Sequence, residues 1–161
     1  MIKRRPKTTT IILRLPADLK KRVRKYAKSS RGFMSASAFG TVVRRLREGR
    51  GLSLRETSQL SELDHAYVHR LETGAKEAPS TDSLAKLFRA LKPNKRQEEV
   101  LRFLVGKNVT VDLVDPSIID DENIAIEDFE SAAQMSFRGK QPNGPEEWRA
   151  AINKIKKLRG K

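Results

Sequence analysis

An all-α fold is predicted, on three observations. Apolar residues recur at helical spacing through five short segments between residues 36 and 106. Cap and stop residues stand at the ends of those segments, and the connections between them are brief. The first helix is expected at 36–49, with Phe39, Val42, Val43 and Leu46 at i, i+3, i+4 and i+7. The second follows Ser53, an N-cap three residues before Glu56, which completes a capping box. A third spans about 64–73, between Asp64 as N-cap and Gly74 as stop. Pro79-Ser80-Thr81-Asp82 opens a fourth, carrying Leu84, Leu87, Phe88 and Leu91 and ended by Pro93. A fifth, about 95–105, carries Val100, Leu101, Leu104 and Val105.

Beyond these, residues 107–126 are acidic and proline-interrupted, and are expected to be a linker. Two further helices are expected at about 127–136 and 145–159. Pro145 suits the first turn of the second one, and Trp148, Ile152, Ile155 and Leu158 form a stripe along it. Upstream, residues 8–15 read as a β-branched strand closed by Pro16, and 17–28 as a basic amphipathic helix. That strand and helix resemble the first half of a ribbon-helix-helix unit. Its second helix would need residues 35–49, which the first of the five helices claims. Residues 1–33 are therefore an accessory basic arm, or an extension of little function upstream of Met34. The expected domains are the arm 1–33, a helical domain 34–106, the linker 107–126 and a C-terminal helical module 127–161.

Composition narrows the function. The chain has 161 residues, 37% apolar and 34% charged, with a net charge of +14 and no cysteine. Disulfide and thiolate chemistry are excluded, and a reducing cytoplasm suits it. No run of about 18 apolar residues exists to span a membrane. The apolar stretch Ile11-Ile12-Leu13 is too short for a signal peptide. Residues 1–50 carry 16 basic and 2 acidic side chains, whereas 111–136 carry 8 acidic and none basic. Residues 137–161 are basic again, with 8 against 2. A strongly basic arm leading into a helical motif points to phosphate attraction, hence to nucleic acid.

The segment GLSLRETSQLSELDHAYVHRLETG, residues 51–74, reads as two short helices joined by a tight turn. With Leu46-Arg47, Leu63, Tyr67-Val68, Leu71-Glu72-Thr73-Gly74 and Pro79-Ser80, residues 39–91 resemble the Cro/CI-type, or XRE-like, helix-turn-helix family. The resemblance implies a five-helix, lambda-repressor-like DNA-binding domain whose third helix enters the major groove. His65, Ala66, Tyr67, His69 and Arg70 would then face base edges, an arginine pairing bidentately with guanine. Tyr67 has simple packing as its alternative. Ser53, Arg55 and Lys76 would meet phosphates, and Arg47 with Glu72 would form an internal ion pair. Three positions depart from the family pattern. Leu54 replaces its usual glutamine, Glu62 its turn glycine, and Ser58 a small apolar residue.

The C-terminal stretch FESAAQMSFRGKQPNGPEEWRAAINKIKKL resembles the module of XRE-like repressors controlled by ImmA/IrrE-type zinc metallopeptidases. That implies dimerisation through Phe129, Trp148, Ile152 and Ile155, and cleavage between Phe137 and Arg138. The alternative is that the apolar residues form a small core.

An enzyme is not expected. His65 and His69 are spaced like a zinc pair, but Ala66 stands where a metallopeptidase needs glutamate, and no third histidine exists. No cofactor or metal is expected. The sequence thus predicts a cytoplasmic, nucleoid-associated, homodimeric repressor binding a double-stranded operator, with a metallopeptidase as the regulating partner the C-terminal resemblance implies. A second reading is an antitoxin or immunity protein whose acidic stretch neutralises a basic toxin. A third is a non-specific nucleoid or RNA binder driven by the arm.

Overall fold

The computed structural model describes residues 37–159, except Glu77 and Arg138. The strand, helix and basic arm expected over 1–33 lie outside the described residues. Among the described residues there are eight α-helices, one 3-10 turn and no strand, as the all-α reading requires.

Helix α1, Ala38–Gly49, starts where the Ser37 hydroxyl accepts the Gly40 N–H at 3.0 Å. It buries Phe39, Val42 and Val43. Helix α2, Leu54–Ser61, has the capping box in full: Ser53 Oγ accepts from Glu56 N–H, and Glu56 Oε2 accepts from Ser53 N–H at 2.7 Å. Its core face is polar. Thr57 and Ser61 are fully buried, and their hydroxyls donate to the carbonyls of Ser53 and Thr57. Each hydroxyl is thereby satisfied inside the helix, which lets two small polar residues stand in the core without an orphaned donor.

Helix α3, His65–Glu72, is capped by Asp64, whose carboxylate accepts the Tyr67 N–H at 3.1 Å. Helix α4, Thr81–Leu91, packs on α2 and buries Leu84, Leu87, Ala90 and Leu91. Helix α5, Lys95–Leu104, opens on a second capping box, Asn94 with Gln97, and packs its Val100, Leu101 and Leu104 inward.

The acidic segment is not a linker. Its 3-10 turn Val111–Val114 and helix α6, Pro116–Ile119, bury Leu113, Val114, Ile118 and Ile119 in the same core as α1 and α5. The described residues on either side of 106 accordingly pack into one compact unit. Polar ties fasten the seam. Arg45 Nη1 donates to the Val114 carbonyl at 2.8 Å, Arg96 Nε to Ile119 at 3.3 Å, and Gln97 to Asp120 at 2.9 Å. Four buried aliphatics within nine residues could not be left in water, and at roughly 1.5–3 kcal/mol each they draw the segment inward.

Helix α7, Ile126–Ala133, ends three residues earlier than expected, and α8, Pro145–Arg159, packs on α7, the 3-10 turn and α6. Arg149 pairs with Asp121 at 2.9 Å and Arg159 with Asp128 at 3.1 Å, while Lys156 donates to the Asn123 carbonyl. Asp112 accepts the Gly144 N–H, and hydrogen bonds from Ser117 hold the Asp115 carboxyl below its usual range. Asp121 is likewise lowered, first by hydrogen bonds from Asn123 and then by Arg149. The acidic stretch and the basic tail therefore satisfy each other inside one fold.

Candidate nucleic-acid interface

The junction of α1, α2 and α3 sets the geometry of the motif. Arg47 on α1 reaches Glu72 at the end of α3 through two hydrogen bonds, Nε–Oε1 at 2.6 Å and Nη2–Oε2 at 3.0 Å. Its third donor, Nη1, meets the Leu52 carbonyl at 2.8 Å. One guanidinium thus joins α1, the turn before α2 and the last turn of α3. The Glu72 side chain is 5% exposed, so its charge is compensated almost wholly by Arg47, which in turn is pushed to a higher pKa. Gly40 brings the helices this close: a Cβ there would stand 2.8 Å from the Glu72 carbonyl carbon and nearer still to the Leu71 and Glu72 oxygens. The sequence carries the signal in a glycine placed inside a helical pattern, a residue that costs about 1 kcal/mol relative to alanine unless packing needs it.

The turn between α2 and α3 solves a local problem without glycine. Glu62 takes the left-handed conformation, φ 56° and ψ 27°, at the end of α2. Ser58, the other departure, donates its hydroxyl to the Leu63 carbonyl at 2.5 Å and closes the turn from the helix side. Both departures are therefore parts of one turn.

With its back fixed by fully buried Val68 and Leu71, α3 presents His65, Ala66, His69 and Arg70 to solvent. Tyr67 is half-buried against the core, and the Lys76 ammonium lies over its ring at 5.3 Å. Lys76 is itself held by its N–H on the Arg70 carbonyl at 3.0 Å, so the loop after α3 folds back toward the helix. Arg55 is exposed on α2. Ser53 is exposed too, but its N–H is taken by Glu56, leaving the hydroxyl proton as its free donor. The arrangement is a rigid helix with a polar, partly cationic outer face flanked by Arg55 and Lys76, which fits a groove lined with acceptors and phosphates.

The C-terminal expectations fare differently. Phe129, Trp148 and Ile152, expected at a dimer face, are 0%, 2% and 1% exposed within a single chain. They fill the chain's own core, because α7 and α8 close over α5 and the 3-10 turn. Ile155 is partly buried against that core. The apolar side chains left outside this end are Met135, 43% exposed, and Leu158, 76% exposed. Phe137 is half-buried, its ring edge-on to Trp148 at 5.6 Å, and Arg138 lies outside the described residues.

Among the described residues no helix is long and apolar enough to cross a membrane, and no group of three or more His, Cys, Asp or Glu is placed to hold a metal. No curated protein matches the chain in sequence. A family model described as a helix-turn-helix domain matches residues 38–114, from the start of α1 to the end of the 3-10 turn. The α2–turn–α3 geometry agrees with that match: the chain carries a helix-turn-helix domain over these residues.

Proposed function

We propose that the protein is a sequence-specific transcriptional repressor that reads the DNA major groove with α3 and acts as a homodimer. The observation that carries this reading is the two-sided character of α3. Val68, Leu71 and Glu72 are locked inward by packing and by Arg47, while His65, Ala66, His69 and Arg70 are free outward. A recognition helix has to be held this way, since its base contacts require a fixed register on the backbone. Arg55, Lys76 and the Ser53 hydroxyl supply that register through phosphates. Pairing of two copies gives two half-sites, because one such helix spans few base pairs. Pairing through the C-terminal end would use Met135, Ile155 and Leu158, the apolar side chains that remain at least partly accessible there.

Inactivation by a metallopeptidase cutting near Phe137–Arg138 belongs to the same proposal. A cut there separates α8, with Trp148 and Ile152, from the core it helps to close. The reading as an antitoxin draws less support, since Asp112, Asp115, Asp120, Asp121 and Asp128 are engaged within the chain.

A DNase footprint on DNA flanking the gene tests the proposal, comparing the parent protein with Tyr67→Ala/His69→Ala. Two protected half-sites about one helical turn apart, lost in the variant, are expected. Diffuse protection that the variant leaves unchanged would move the binding activity from α3 to the basic arm.

A further inference from the structure

We propose that His65 and His69 together chelate one divalent transition-metal ion of the Zn2+, Ni2+ or Cu2+ class on the outer face of α3, so that metal and DNA exclude each other. The chain has two histidines in 161 residues, and both stand on this eight-residue helix, one turn apart and exposed. Residues at i and i+4 carry Cβ atoms about 5–6 Å apart on one helix face. Two imidazole nitrogens, each about 2.0–2.1 Å from a shared ion, close that gap by side-chain rotation alone.

Two features of the site favour the ion. Among the described residues neither imidazole makes a hydrogen bond, so ligation need not break an existing contact. Asp64 is fixed by its capping bond to the Tyr67 N–H, and its other oxygen stands 3.8 Å from His65 Nδ1. At that separation the carboxylate makes no bond to the ring, but its negative charge beside it favours a cation bound there. Water completes the coordination of a two-histidine chelate. The exclusion of DNA, unlike the metal site itself, rests on α3 being the groove-facing helix: an ion with its waters then occupies the space of the base edges.

The test uses the full chain without a histidine tag. Zn2+ alone is titrated while the imidazole signals are followed by long-range 1H–15N NMR, where two rings make assignment direct. Both rings should shift in parallel and saturate at one ion per chain, and His65→Gln or His69→Gln should raise the Kd for Zn2+ at least tenfold. Rings that shift independently, or a variant that keeps the parent affinity, would overturn the chelate. A second arm measures binding to a duplex selected by the protein from a random pool. Saturating Zn2+ should weaken it at least tenfold, reversibly with EDTA, and His69→Gln should abolish that response. A chelate that forms but leaves DNA affinity unchanged refutes the exclusion and the placement of α3 against bases, while leaving the metal site standing.

Discussion

Removing Arg47 should cost more than any other single change at the surface of the motif domain. Arg47→Met keeps much of the side-chain volume but deletes all three donors, and leaves Glu72, 5% exposed, without its counter-charge. Breaking a buried pair from one side costs about 3–5 kcal/mol. The lost charge-assisted bond to Leu52 is worth about 1.5–3 kcal/mol taken alone, but is not additive with that figure. The Arg47 side chain is 12% exposed, so solvent relieves part of the strain and the lower half of the range, about 3–4 kcal/mol, is expected. Against a domain stability of about 5–15 kcal/mol this is a large fraction. Urea denaturation followed by far-UV circular dichroism measures it. Arg47→Met/Glu72→Met should recover most of the loss, because replacing both partners removes the uncompensated charge. A loss under about 1 kcal/mol in the single variant, or a double variant that loses the sum of both singles, would refute the claim that this pair fastens α3 to α1.

Gly40→Ala drives a methyl group into the Leu71–Glu72 backbone, and a destabilisation of at least about 1–3 kcal/mol is expected in the same urea assay. Glu62→Gly should act oppositely. Relief of a left-handed residue costing about 1–2 kcal/mol exceeds the added chain entropy of about 0.5–1, so the thermal midpoint should rise by a few degrees. Trp148→Ala removes the largest buried side chain of α8, and about 3–5 kcal/mol should be lost. If the described residues from Ser37 onward share one core, hydrogen exchange in α1 and in α8 should accelerate together in that variant; protection retained in α1 would show two independent domains. Arg70→Ala should lower affinity by about 1–3 kcal/mol at one base position in a mutated-operator series, whereas equal loss on every sequence would make Arg70 a phosphate contact.

Much of the motif was legible because its signals are local. Ser53 with Glu56, Asp64, Gly74 and Pro93 act within four residues of themselves, through backbone groups that any helix end leaves unpaired. The inward and outward faces of α3 follow from helical period alone, as do the buried positions of α1, α4 and α5. The all-α class needed nothing further.

Long-range matters were decided by tertiary structure. Composition made residues 107–126 look like a solvated linker, since acidity and a proline outweigh eight scattered aliphatics in any local window. The arrival of α8, whose Arg149 pairs with Asp121 and whose Lys156 donates to the Asn123 carbonyl, together with the ties from Arg45, Arg96 and Gln97, lets Leu113, Ile118 and Ile119 sink. The stripe of Trp148, Ile152 and Ile155 showed that one face of α8 is covered, but periodicity cannot say whether by another copy or by the same chain. Thr57 and Ser61 carry no hydrophobic signal at all; they are buried because their hydroxyls find carbonyls one turn back, a satisfaction visible only once the helix has formed and packed.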